Sequence, residues 1–99
     1  MKWLQSGRRR DLCVLLYGSD GLPAQKLKTS LERRYDDRID PKQFYGALDA
    51  LERLGHVEKR TEGLSDVYSL TDAGREHVEA YAAWLNDEVE RQGDAESAK

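Results

Sequence analysis

The stretch from Asp40 to Val57 constrains this chain most, because it carries its own start signal, stop signal and apolar stripe. Asp40 can accept hydrogen bonds from the free amides of a first helical turn, and Pro41 stands where a missing N–H costs nothing. Gly55 is the matching stop. Between them Phe44, Leu48 and Leu51 recur at helical spacing, with Ala47 and Leu54 beside them, so one side of the helix must face a core. At about 100° per residue the opposite side carries Lys42, Asp49 and Arg53, flanked by Tyr45 and Gly46. Cations, an aromatic hydroxyl and a bare backbone suit a helix laid in a DNA major groove. A solvated surface is the bland alternative, since mixed charge is common on exposed helix faces.

The residues that follow favour the first account. His56–Arg60 and Asp66–Leu70 alternate polar with apolar or aromatic side chains, and Thr61–Ser65 supplies turn residues. This pattern predicts a two-stranded ribbon with a loose tip, anchored on neighbouring helices through Val57 and Leu70. Lys59 and Arg60 would bring positive charge to adjacent phosphates. Upstream, Arg8–Tyr17 carries Leu12, Val14, Leu15 and Leu16 and predicts a mostly buried helix. Pro23–Tyr35 places Ala24, Leu27 and Leu31 on one side and predicts a basic amphipathic helix beginning at its proline. Ile39 precedes the Asp40 cap and is placed for a hydrophobic staple. The expected class is mainly α (α+β): a winged helix-turn-helix of three helices plus a two-stranded wing and a long C-terminal helix.

The run Leu12–Arg75 resembles the winged-helix domain of PadR-type transcriptional regulators. Their pattern L-Y-x-A-L-x-x-L-E corresponds to Phe44-Tyr45-Gly46-Ala47-Leu48-Asp49-Ala50-Leu51-Glu52, their hydrophobic exit to Gly55-His56-Val57, and Y-x-L-T-x-x-G to Tyr68-Ser69-Leu70-Thr71-Asp72-Ala73-Gly74. Gly46 stands where the family usually has proline, and the wing is shorter and less basic than usual. The resemblance implies a DNA-binding transcriptional regulator.

Charge is unevenly placed along the 99 residues: the overall net of −3 divides into 13 Lys/Arg against 9 Asp/Glu in 1–60 and 3 against 10 in 61–99. That asymmetry fits a nucleic-acid face with an acidic region elsewhere. Lys42, Gln43, Tyr45, Gly46, Asp49 and Arg53 are expected to face the groove, with Arg8, Arg9, Arg10, Lys26, Lys28, Arg33 and Arg34 on phosphates and Lys59 and Arg60 on the wing. Asp49 is the awkward member, able to accept from a cytosine amino group or be repelled by the backbone.

From Thr71 or Asp72 to about Arg91, Val78, Tyr81, Ala82, Leu85 and Val89 fall on one stripe with Trp84 alongside. With Trp3 and Leu4 they form the expected homodimer interface. A dimer would place two recognition helices about one turn of DNA apart on a near-palindromic site. The division is therefore 1–70 for DNA binding, 71–91 for dimerisation and 92–99 for a disordered tail. The lone Cys13 in an apolar helix fits a buried thiol in a reducing, cytoplasmic setting. No catalytic constellation, metal set, cofactor motif, signal peptide or membrane span is expected. The competing function is a winged-helix protein-interaction module without sequence-specific DNA binding.

Overall fold

The computed structural model describes residues 7–97, with side chains to residue 93. Trp3 and Leu4 lie outside the described residues. The order is α1 (Gly7–Tyr17), β1 (Leu22–Pro23), α2 (Ala24–Tyr35), α3 (Pro41–Arg53), β2 (Val57–Glu62), β3 (Ser65–Leu70) and α4 (Asp72–Ser97). Leu12, Cys13 and Leu16 of α1 meet Leu27 and Leu31 of α2, Phe44, Leu48 and Leu51 of α3, and Val57, Tyr68 and Leu70 of the sheet in one core. Burying each such aliphatic or aromatic side chain contributes about 1.5–3 kcal/mol. This is a winged helix-turn-helix with a long terminal helix.

Each end of α3 follows its sequence signal. The Asp40 carboxylate accepts from the Gln43 amide at 3.3 Å, Pro41 occupies the first turn, and Leu54 caps the other end before Gly55 turns with φ of 78°. Ile39 is buried in the same core as Phe44, as a staple requires. Leu54 departs from expectation: at the helix end it escapes the stripe and is 47% exposed.

The elbow between α2 and α3 is built by Glu32 and Asp36. Asp36 takes the left-handed conformation, φ 53°, and Glu32 Oε2 accepts from the Ile39 amide and from Lys28 Nζ, both at 2.9 Å. The Ile39 amide and, after it, Lys28 hold the Glu32 carboxyl below its usual range. Glu32 therefore stays ionised and clamps the turn.

Four expectations are corrected. The wing belongs to a three-stranded antiparallel sheet of order β1-β3-β2, with Leu22 opposite Tyr68 and Pro23 opposite Val67. Two residues are too short for a periodic signal, and Pro23, which cannot donate to a ladder, is tolerated on an edge strand. Pro23 thus caps α2 from outside rather than beginning it. The wing tip is tight: β2 runs to Glu62 and pairs with Ser65, leaving Gly63-Leu64 between them. Val57 opposite Leu70 anchors the ribbon as expected, and both are buried. In α1, Val14 points outward, 44% exposed, contrary to its expected place in the buried stripe, while Cys13 is buried as its apolar surroundings predict.

α4 starts from Thr71, whose Oγ1 accepts from the Gly74 amide at 3.1 Å and donates to the Gly55 carbonyl at 2.5 Å. The Thr71 amide donates to the His56 carbonyl at 3.1 Å. A Cβ on Gly74 would collide with that same carbonyl, so the T-x-x-G pattern is a cap plus a close approach that docks α4 on the corner after α3. The helix continues past Arg91 to Ser97, so the segment expected as tail is helical to that point. At 1.5 Å per residue its length is about 39 Å. The radius of gyration, 15.4 Å, exceeds the ~13 Å of a compact domain this size because α4 projects.

Candidate nucleic-acid interface

Lys42, Gln43, Tyr45, Gly46, Asp49 and Arg53 are all exposed on one side of α3, while Phe44, Leu48 and Leu51 fill the core behind them. Apart from its chain neighbours and the backbone of α3 itself, nothing lies within 4 Å of where a Cβ on Gly46 would stand, so the backbone there is open to close approach. The Tyr45 ring rests edge-on against Phe44, centroids 5.2 Å apart, which holds its hydroxyl outward. Arg53 Nε reaches back to the Asp49 carbonyl at 3.5 Å, too long to bind it firmly.

The cations assigned to phosphates separate into groups. Lys26 and Arg33 are exposed on α2. Arg8 is half-buried and donates from Nη1 to Gln43 Oε1 at 3.2 Å, so it joins the α3 face by supporting a member of it. Arg9 is half-buried on α1. Lys28 is engaged with Glu32 inside the elbow. Arg10 pairs with Asp11 at 3.2 Å and lies over the Tyr81 ring, 5.4 Å from its centroid. Arg10 and Arg34 line a crevice with Val14, Leu15, Tyr81 and Leu85, which turns both toward α4 and away from the α3 face. Helical periodicity places them on outer surfaces; the packing of α4 selects which surface.

On the wing, Lys59 is exposed, but Arg60 is committed. Its Nε donates to Glu62 Oε1 at 2.7 Å and its Nη2 to the Asp20 carbonyl at 3.4 Å. The second contact lies beside the turn at Gly21, where φ is 150°. Arg60 therefore ties β2 to the chain entering β1.

Two clefts flank α3. One, of about 250 Å³, lies between the start of α2, Tyr45 and the wing tip, lined by Pro23, Gln25, Leu64 and Asp66 among others. The other, of about 550 Å³, lies at the elbow between Gln25, Lys28, Arg38 and Pro41. Gln25 and Arg38 were missing from the expected surface. Arg38 could have been found by its place just before the Asp40 cap, where a cation meets anything docked at that helix start. Gln25, an ordinary polar residue of an amphipathic helix, carries no such signal.

The surface is not uniformly positive. Burial and then the nearby carboxylates Asp66, Glu52 and Asp49 push the Tyr68 hydroxyl up to about 12, so it stays protonated at the base of the space between α3 and the sheet. Among the described residues no group of three or more His, Cys, Asp or Glu could hold a metal, and no helix is long and apolar enough to cross a membrane.

The stripe on α4 divides along its length. Val78 is 6% exposed and belongs to the chain's own core, a correction to its expected place in a dimer interface; so near the helix start, the domain itself covers it. Tyr81 is partly buried against that core and stacks on Trp84, centroids 6.0 Å apart. Beyond it Ala82 and Leu85 are exposed, as are Trp84 at 56% and Val89 at 62%.

No family model and no curated protein matches this sequence. Solved structures resemble it closely in fold. RosR of H. salinarum superposes with a TM-score of 0.76 at 22% identity, covering 94% of each chain. MepR, a transcription regulator of the Staphylococcus aureus multidrug efflux pump MepA, gives 0.76 at 22% identity over 92% of this chain and 64% of that one. The homodimeric winged helix-turn-helix DNA-binding domain of a possible ArsR-family transcriptional regulator from Mycobacterium bovis gives 0.69 at 23% identity over 92% and 78%. At these identities the likeness establishes a shared fold.

Proposed function

We propose that this protein is a sequence-specific DNA-binding transcriptional regulator that acts as a homodimer on a near-palindromic site, most simply as a repressor. One observation carries the proposal: the entire polar side of α3 from Lys42 to Arg53 is left uncovered by the fold, with the start of α2 and the wing tip opening on the same cleft as Tyr45. A helix committed on one side to the core and free on the other can enter a major groove. Lys42 and Arg53 supply cations to phosphates or guanine edges, and Gln43 and Asp49 supply base-edge chemistry. Lys26, Arg33, Arg38 and Lys59 serve the backbone. Similar folds in MepR and the M. bovis domain, described respectively as a transcription regulator and a homodimeric DNA-binding domain, support the reading. The motifs around Phe44–Glu52 and Tyr68–Gly74 support a PadR-like subtype.

The exposed part of the α4 stripe supports dimerisation. Trp84, Leu85 and Val89 are exposed, Leu85 sharing a crevice with the outward Val14 of α1 and Trp84 lying beside Val89, and aromatic residues are enriched where protein surfaces associate. Two copies joined there would share the acidic α4 between them and leave both α3 helices free.

Capture of bound genomic fragments, followed by anisotropy titrations against salt, tests the function. Saturable, sequence-dependent binding with a steep negative salt slope is the expected result. Arg53→Ala should relax sequence preference, and Arg33→Ala should weaken all sequences alike. Affinity indifferent to both salt and sequence would replace this reading with a protein-interaction module.

A further inference from the structure

The wing tip carries a side chain that the fold does not require. Gly63 and Leu64 join the paired residues Glu62 and Ser65, and φ of 62° at Gly63 with negative φ at Leu64 is the pattern of a type II′ turn. Such a turn needs glycine first and makes no demand for an apolar residue second. Leu64 nevertheless stands wholly in solvent, 106% exposed, and lines the cleft it shares with Tyr45 of α3. It therefore faces the side on which α3 is free.

The rest of the tip is unsuited to phosphate. Thr61 to Asp66 contains no cation, and Arg60 is held by Glu62 and the Asp20 carbonyl. Its two carboxylates are both restrained: Glu62 by Arg60 at 2.7 Å, and Asp66 by the Thr61 hydroxyl at 3.3 Å. What projects furthest is an isobutyl group on a narrow two-residue turn.

We propose that Leu64 is a wedge that enters the minor groove of the bound duplex and partly unstacks a base step there. The inference rests on the DNA-binding reading and adds a contact to it. A minor groove about 6 Å wide admits a single side chain on a tight hairpin, and apolar wedges kink DNA at such steps. The wing then selects sequence by deformability, favouring flexible pyrimidine–purine steps over stiff A-tracts beneath it.

The test uses the full chain and a duplex from the captured site, with an aminopurine reporter scanned through the positions beside the α3 contacts. Wild-type protein should raise the reporter's fluorescence at one step, Leu64→Ser should abolish that rise, and Leu64→Phe should keep it. Leu64→Ser should also weaken binding about tenfold with an unchanged salt slope, since no phosphate contact is lost. Its thermal melt should match wild type, the residue being outside the core. Equal affinity of Leu64→Ser and wild type, no fluorescent step, or a reduced salt slope in the variant overturns the wedge while leaving DNA binding intact. Wild-type protein that binds no duplex overturns the DNA-binding reading and the wedge together.

Discussion

Arg8 on α1 donates from Nη1 to the side-chain oxygen of Gln43 on α3, 3.2 Å away. The two residues are far apart in the chain, and the contact fixes the sense of the Gln43 amide: its oxygen is engaged and its NH2 group is left to donate outward. A glutamine free at both ends reads adenine by donating to N7 and accepting from N6. With one of that oxygen's two lone pairs taken and the amide turned toward Arg8, Gln43 presents its NH2 group and favours an edge made of acceptors, N7 and O6 of guanine. Arg8→Ala should therefore shift preference at one position of each half-site from guanine toward adenine. Selection from a randomised duplex pool, with an unchanged base at that position as the contrary result, checks this.

Two helical glycines should respond oppositely to alanine. Gly74→Ala places a methyl group on the His56 carbonyl, and relieving that clash should cost about 1–3 kcal/mol. Gly46→Ala meets open space and should stabilise α3 by about 0.8–1 kcal/mol while weakening DNA binding, because the backbone can no longer approach as closely. Urea unfolding of both variants, with anisotropy titration of the second, separates the effects.

Cys13 should behave as an inert core residue. Burial pushes its thiol up to about 12, so the thiolate that reacts with oxidants is scarce near neutrality. A chromogenic disulfide reagent should label it only as the protein unfolds. Labelling faster than global unfolding would instead reveal local opening of α1, and Cys13→Ser should cost stability without altering any response to peroxide.

Stability should fall as the solution is acidified below neutrality. Burial, then the charge of His77 packed at 4.4 Å, lowers the His56 pKa below 6.5. The unfolded chain takes up a proton near pH 6.5 while the native imidazole stays neutral, so stability present above that pH is lost as pH falls toward the folded value. Glu32, whose folded pKa is also lowered, adds its own loss only below about pH 4.5. His56→Gln should flatten the first of these slopes in thermal melts between pH 7 and 5.5, measured in one buffer system at constant ionic strength.

The exposed end of the α4 stripe can be tested apart from the fold. Trp84→Glu and Val89→Glu alter side chains that the domain does not cover, so each should leave the melt of the isolated fold nearly unchanged and convert a dimer to an 11.3 kDa species in sedimentation at micromolar concentration. Val78→Glu should instead unfold the domain, since that residue lies in the core.

Local signals made α3 legible before any coordinates. Asp40, Pro41, Gly55 and the Phe44–Leu48–Leu51 stripe act through backbone amides and a helical period, both readable from neighbours in the chain. The same is true of Thr71, whose cap needs only the next turn. Where contacts came from distant segments, reading failed. β1 exists because β3 offers it an edge, and nothing in Leu22-Pro23 announces that partner. Arg10, Arg34 and Arg60 look like Lys26 and Arg33 in sequence, since a cation at an outer helical or strand position carries no record of whether a tyrosine ring, a carboxylate or solvent will lie beside it. Val78 shares its period with Val89, yet one is buried by the domain and the other is not, because the domain ends partway along α4. Periodicity and capping are properties of adjacent residues and were settled by the chain alone. Which polar face stays free, and which charges are neutralised, depends on how helices and strands far apart in the chain pack, and that required the assembled molecule.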